Sequence, residues 1–309
     1  MATNPTTLKP VVKKPTETFP PFDIHSIYTP SANVLLFGGA GAGKTSSIIS
    51  LLSNPKLKVR VLGIDNNCIA GLAYALRVAR TTLVPGQLIV ASLTLSEAQR
   101  RRRAKGFANA LTTSDRTLVS EWIEKTFANS FIGRDFATSE EVDCGNISSF
   151  DTNTVIVFDS WTGLQSHLIN EFRGTVKLES DWGVYRNVQQ YAIWLLTNLQ
   201  LSIDCSLIVL AHSKFTEKVK DTTELNIVPD LYGNASIQSF MGMFSDVIYC
   251  RLHKNSPVWV VQEAGTALSI RSIPFQLYPE IKPTQFPANF LDPRYTFFPL
   301  LQNESETAE

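Results

Sequence analysis

Residues 38–45 read Gly-Gly-Ala-Gly-Ala-Gly-Lys-Thr and fill every fixed position of the phosphate-loop pattern G-x-x-x-x-G-K-[ST]. The chemistry of that spacing is anion binding. Glycines let successive backbone N–H groups turn inward onto phosphate oxygens, and the helix that follows adds the partial positive charge of its N-terminus. On this reading Gly38, Gly39, Ala40, Gly41, Ala42, Gly43, Lys44, Thr45 and Ser46 cradle a nucleoside triphosphate. The Lys44 ammonium reaches the β- and γ-phosphates, and the Thr45 hydroxyl ligates Mg²⁺. The alternative is a glycine-rich turn that binds nothing, and the flanking residues argue against it. Residues 33–37, Asn-Val-Leu-Leu-Phe, read as a short buried strand; residues 46–52 read as a turn or two of helix, stopped near Asn54-Pro55.

A triphosphate site needs a carboxylate for its cation, usually at the end of an apolar strand. The run Val155-Ile156-Val157-Phe158-Asp159-Ser160 supplies one, so Asp159 is the candidate Mg²⁺ ligand, directly or through water. An aspartate that merely caps a strand end is the plainer alternative. Hydrolysis also requires a group that orients or deprotonates the attacking water. Many enzymes of this type carry a glutamate directly after the aspartate; here that position is Ser160, which cannot act as the base.

These residues must be held by a sheet. Apolar runs at 58–65, 87–92, 154–159, 206–212 and 244–251 read as strands, with helices between them. The clearest helix is 185–200, where Val188, Tyr191, Ala192, Leu195, Leu196 and Leu199 mark one face of a 3.6-residue period. Continuous apolar strands alternating with helices predict an α/β fold with a mainly parallel sheet covered on both sides. Residues 258–262 and 268–271, separated by Glu-Ala-Gly-Thr, predict an antiparallel hairpin at the C-terminal sheet edge, followed by a proline-rich wrap. The stretch of about 94–150 reads as a helical insertion. Its second helix starts near Ser114 and presents Leu118, Val119, Trp122, Ile123 and Phe127, and residues 131–153 are polar and irregular. Residues 1–21, with five prolines, form an extended arm; 22–301 form the main domain; 302–309 form a disordered acidic tail.

The order of elements resembles the RecA-like P-loop ATPases, and most closely a phage group related to single-strand-annealing recombinases. The matching features are the phosphate loop, the strand ending Ile64-Asp65, the Val-Phe-Asp-Ser turn at 157–160 and the strand ending Leu210-Ala211-His212-Ser213. The segment Pro229-Asp230-Leu231-Tyr232-Gly233 and the strand around 246–249 complete the match, which spans roughly residues 30–275. The resemblance implies ATP and Mg²⁺ as cofactors, a Mg²⁺-dependent ATPase activity and single-stranded DNA as a partner. It also implies self-association into a ring or filament, with a neighbouring subunit supplying a cation such as Arg251, Lys254 or Arg271. It places the water-activating glutamate two residues beyond Asp65, where this chain has Asn67. An asparagine amide can position water but cannot take its proton. Either Asp65 or another carboxylate takes over, or hydrolysis is slow and nucleotide acts as a switch. His212 falls where such proteins carry a polar residue that senses the γ-phosphate; a histidine satisfied by backbone at a strand terminus is the alternative.

The resemblance also places a mobile DNA-binding loop at 213–224, where Lys214, Lys218 and Lys220 would meet phosphates and Phe215 would stack on a base. Glu217, Asp221 and Glu224 cancel the charge of that loop, so a solvated linker fits equally. The run Arg100-Arg101-Arg102-Arg103 is the strongest local positive feature, either a solvated helix surface or a DNA or subunit contact. Trp161 and Trp182, near the Asp159 turn, could stack on bases or pack in the core. The chain as a whole balances 28 basic against 28 acidic residues, so no global field draws in nucleic acid. Four widely spaced cysteines make no metal pattern, and the absence of a leader or of a membrane-length apolar stretch predicts a cytoplasmic protein (host cytoplasm, if phage-encoded) without a membrane partner. The expected function is that of a RecA-like ATPase acting on single-stranded DNA in recombination, annealing or replication. A nucleotide-gated scaffold or loader with little turnover, and a helicase or packaging motor, are the alternatives.

Overall fold

The computed structural model describes residues 32–65, 67–93, 119–175, 181–216, 226–231, 234–253, 256–260 and 280–281. In chain order the elements are β1 (Asn33–Gly38), α1 (Lys44–Ser47), β2 (Lys58–Gly63), α2 (Cys68–Ala79), β3 (Leu88–Ser92) and α3 (Val119–Ala128). Then come β4 (Ile132–Asp135), β5 (Glu141–Asp143), β6 (Thr154–Asp159), α4 (Trp161–Thr175) and α5 (Asp181–Ser202). The chain continues through β7 (Ser206–Thr216), β8 (Asn226–Pro229), α6 (Asn234–Gly242), β9 (Asp246–His253), β10 (Ser256–Val260) and β11 (Glu280–Ile281).

Among the described residues the strands form one sheet in the order β11-β10-β9-β1-β7-β6-β2-β3-β4-β5, with β8 paired to β7 outside that path. The six central strands, β9-β1-β7-β6-β2-β3, are parallel to their neighbours. The mainly parallel α/β architecture expected from the alternation of apolar runs is therefore what the chain adopts. Strand β7 lies between the phosphate-loop strand β1 and the strand β6 that ends in Asp159.

The strands bury both faces. Along β1, Val34 and Leu36 point into one core with Val59, Val61, Val155 and Val157, packed under α1, α2 and the 3₁₀ segment Ile48–Ser53. Leu35 and Phe37 point into the other with Leu62, Ile156 and Phe158, covered by α3, α4, α5 and α6. This two-residue alternation explains why the strands read as unbroken apolar runs: every second residue meets one layer of helices and the rest meet the other. Helix α5 buries Val188, Ala192, Leu195, Leu196 and Leu199, the face its periodicity marks. Helix α3 buries Val119 and Ile123, with Trp122 and Phe127 packed partly behind them.

Three expectations change. Residues 131–153 are not irregular: β4 pairs antiparallel with β3 and β5, extending the sheet edge. The polar residues there misled because an edge strand exposes one face, as the buried Gly133 and Asp135 alternating with exposed Ile132 and Arg134 show. The antiparallel edge hairpin exists among the described residues as β9 paired with β10. The strand proposed at 268–271 lies outside the described residues. Strand β7 runs past His212 to Thr216 and pairs antiparallel with β8, so the first residues of the expected loop 213–224 are strand. The arm 1–21, the basic helix through 100–103 and the tail 302–309 lie outside the described residues. No described helix is long and apolar enough to cross a membrane.

Candidate nucleotide site

The loop begins where β1 has no room for a side chain. A Cβ on Gly38 would lie 2.2 Å from the carbonyl oxygen of Cys250 in the adjacent strand β9. The chain then turns through Gly41 (φ 75°) and Gly43 (φ 87°), left-handed conformations that glycine adopts without steric cost. Gly43 is the residue before α1, so its turn brings the loop into the helix N-terminus, where Lys44 and Thr45 are the first helical residues. The expected helix 46–52 is in fact a single α turn from Lys44, continued as 3₁₀ to Ser53.

Lys44 is 7% exposed, and its ammonium donates to the carbonyls of Gly38 and Gly39, each at 2.8 Å. The side chain thus lies back across the loop it serves. Burial lowers its pKa from the usual lysine value, opposed by Cys250, Asp159 and Asp65. The Thr45 hydroxyl donates to Asp159 Oδ2 at 2.9 Å, bridging two residues 114 positions apart. Asp159 is 4% exposed; burial raises its pKa above the ordinary carboxylate value, against the opposing bonds from Thr45 and Cys68. Cys68, at the start of α2, was not anticipated as a neighbour of this carboxylate. Its thiol is held protonated by burial and by Asp159 itself.

A hydroxyl and a buried carboxylate oxygen side by side are a hard-cation donor set, and the cost of burying Asp159 as an anion is what a cation would relieve. Among the described residues no group of three or more His, Cys, Asp or Glu side chains could hold a metal ion.

A second set of residues meets beside the first. Strands β7, β6 and β2 are neighbours, with Asp159 opposite Leu210 on one side and Gly63 on the other, so the C-terminal ends of β2 and β6 bring Asp65 and Asp159-Ser160 beside His212 within β7. The Asp159–Ser160 peptide is cis. The Ser160 hydroxyl donates to Asp65 Oδ2 at 2.6 Å, and the backbone N–H of Gly163 donates to the Ser160 oxygen at 3.1 Å. His212 Nε2 lies 3.8 Å from the same Asp65 oxygen, an ion-pair separation rather than a hydrogen bond. These contacts, His212 first and then Ser160, hold the Asp65 carboxyl below its usual pKa despite partial burial. The backbone N–H of His212 donates to the Thr162 hydroxyl at 2.9 Å, a partner with no motif to announce it. Asp65, Thr162, Gly163, Ser166, His167, Asn170 and His212 line an open groove of about 280 Å³.

Asn67 is exposed and precedes α2 without capping it through its side chain. Lys214 donates to the carbonyl of Leu231 and lies 3.8 Å from Asp230 Oδ1, so its charge is already engaged. Phe215 stands in β7 opposite Ile227 of β8. Trp161 is a core residue, 1% exposed and packed 5.2 Å from the rings of both Phe158 and Phe240, which removes it from base stacking. Trp182 lies in α5. Arg251 lies in β9. Lys218, Lys220, Arg100, Arg101, Arg102, Arg103, Lys254 and Arg271 lie outside the described residues.

No protein-family model matches the chain, and no curated protein sequence does. Among solved structures it is similar to a RadB recombinase, with 16% identity and a TM-score of 0.33 over 74% of this chain and 79% of that one. It is also similar to an ATPase from the type III secretion system of pathogenic bacteria, with 13% identity and a TM-score of 0.34. That alignment covers 71% of this chain and 51% of the other, about half its length.

Proposed function

We propose that this chain is a Mg²⁺-dependent ATPase of the RecA-like kind. The observation that carries the reading is the Thr45–Asp159 contact at 2.9 Å, directly beside a loop whose lysine is buried and aimed along its carbonyls. Loop N–H groups and Lys44 would hold the phosphates, and Thr45 and Asp159 would hold Mg²⁺, which would supply positive charge to offset that of the triphosphate during phosphoryl transfer. The finer reading, supported by the sequence resemblance, is action on single-stranded DNA in phage recombination, annealing or replication, by an assembled ring or filament. His212 supports it as a link, because it touches Asp65 on one side and begins the β7 extension toward residues 217–225 on the other.

The test is steady-state ATP hydrolysis with and without single-stranded DNA, alongside DNA binding at rising salt. A DNA-stimulated rate with salt-sensitive binding is expected. A rate indifferent to DNA, with no salt-sensitive binding, refutes the DNA half and leaves the nucleotide half standing. The exposed Asn67 in place of a glutamate favours a second reading, a nucleotide-gated scaffold with little turnover; tight ATP binding without hydrolysis is its signature.

A further inference from the structure

From the convergence of the β2 and β6 ends on His212 of β7 we infer that Asp65, anchored by Ser160 and His212, is the carboxylate that orients the attacking water and takes its proton. This rests on the ATPase reading above.

Both positions at which a catalytic glutamate would be expected lack a carboxylate: residue 160 is serine and residue 67 is asparagine. Asp65 precedes residue 67 by two positions and accepts a hydrogen bond from Ser160. The adjacent strands β2 and β6 bring two carboxylates together beside the loop, Asp65 and Asp159. Asp159 is committed to Thr45 and is 4% exposed. Asp65 is the one left, with its side chain 38% exposed where the groove opens. Its backbone N–H donates to the Asp159 carbonyl at 3.2 Å, so the two carboxylates are fixed relative to one another by a main-chain bond rather than by loop geometry.

The anchoring is one-sided. Ser160 and His212 both address Oδ2. Among the described residues no donor bonds Oδ1, whose position is limited by close packing against Gly163: a Cβ there would lie 3.2 Å from Oδ1 and 3.3 Å from the Ser160 oxygen. A carboxylate with one oxygen tied and the other without a described donor, on a residue that lines an open groove, is arranged to accept a proton from water. Ser160 therefore has a different use from the glutamate it stands in for: it holds a neighbouring strand's carboxylate in place. In the step itself the water oxygen bonds to the γ-phosphorus. The bond from that phosphorus to the β,γ-bridging oxygen breaks, and its electron pair leaves on ADP. The water proton passes to Asp65 Oδ1 and from there to solvent along the groove. Because phosphoryl transfer runs through a loose transition state, orientation of the water contributes more than base strength.

Three measurements on the full chain with Mg²⁺ and ATP test this: nucleotide affinity, single-turnover hydrolysis, and the identity of the nucleotide recovered from the protein. Asp65→Asn should lower the hydrolysis rate by about 100-fold or more while leaving affinity within about threefold, so that bound nucleotide is recovered as ATP. Ser160→Ala, which loosens the anchor without removing the carboxylate, should cost about tenfold in rate. Adding Asn67→Glu to Asp65→Asn should restore hydrolysis by supplying a carboxylate at the position where the resemblance places the glutamate, a rescue that a merely structural role for Asp65 does not allow. Hydrolysis by Asp65→Asn within about threefold of wild type overturns the assignment and leaves the ATPase reading intact. Wild-type protein that binds ATP without hydrolysing it overturns the assignment and favours the scaffold. Wild-type protein that does not bind ATP removes the ATPase reading and this inference with it.

Discussion

Replacing Lys44 by methionine keeps most of the side-chain volume and removes one charge. In the ligand-free protein that ammonium makes two bonds of 2.8 Å to the Gly38 and Gly39 carbonyls. Those bonds offset the cost of burial that lowers its pKa, so losing bonds and charge together should change stability by only about 1 kcal/mol. Nucleotide binding is different. Lys44 exchanges two neutral carbonyls for two phosphate oxygens, so the hydrogen bonds roughly cancel and the gain is the new charge–charge attraction. At about 4 Å and an effective dielectric near 20 that attraction is worth about 4 kcal/mol. Lys44→Met should therefore weaken ATP binding by about a thousandfold, since each 1.4 kcal/mol is roughly a factor of ten. Titration calorimetry with Mg²⁺ and ATP at fixed salt measures it, and thermal melting of the ligand-free variant checks the fold. Affinity within about tenfold of wild type, in a variant that melts normally, would mean that the lysine does not meet the phosphates.

Other consequences follow from the same geometry. Asp159→Asn should stabilise the ligand-free protein at neutral pH by about 1 kcal/mol and abolish Mg²⁺-dependent protection by ATP. The sign follows from the raised pKa: the neutral carboxyl is favoured in the fold, so its stability contribution is complete below the unfolded pKa and is lost as pH rises through the folded one. The variant's advantage should thus grow with pH across the carboxylate range and then level off; an advantage that shrinks as pH rises contradicts the burial argument. Gly38→Ala would press a methyl to within 2.2 Å of a backbone oxygen in β9 and should cost about 3 kcal/mol or more, lowering Tm by about 5–10 °C in a melting experiment. Gly39→Ala, whose Cβ meets nothing within 4 Å, should leave melting unchanged and serves as the control.

The parts of this site that lie close together in the chain were legible in it. The phosphate loop is eight consecutive residues whose chemistry depends on local backbone freedom, and Asp159 closes an apolar run whose strand character is evident from composition alone. Both statements survive in the structure because a strand–turn–helix and a strand end are local objects. The edge hairpin was harder: it was expected at 258–271, whereas its strands are β9 and β10, because strand pairing is decided by which backbone edge is free rather than by apolar content. The β4–β5 edge escaped for a related reason, since its residues face the sheet on one side only. Trp161 shows an open alternative being decided: beside Asp159 it could stack on bases or pack in the core, and the first turn of α4 places it in the core against Phe158 and Phe240.

The sequence by itself determined that this chain carries a loop with every fixed position of the phosphate-loop pattern, an aspartate closing an apolar strand and an α/β scaffold with both sheet faces buried. Tertiary structure alone decided what stands around that loop. Asp65, Ser160 and His212 are separated by up to 147 positions, and they meet because β2 and β7 flank β6 in parallel register, so that the ends of β2 and β6 lie level with His212 in β7. Strand order is set by packing and crossover geometry across the whole sheet, which no local spacing encodes. The absence of glutamate at 67 and 160 is visible in the sequence; that a carboxylate from the neighbouring strand is tied down beside those positions is visible only in the fold.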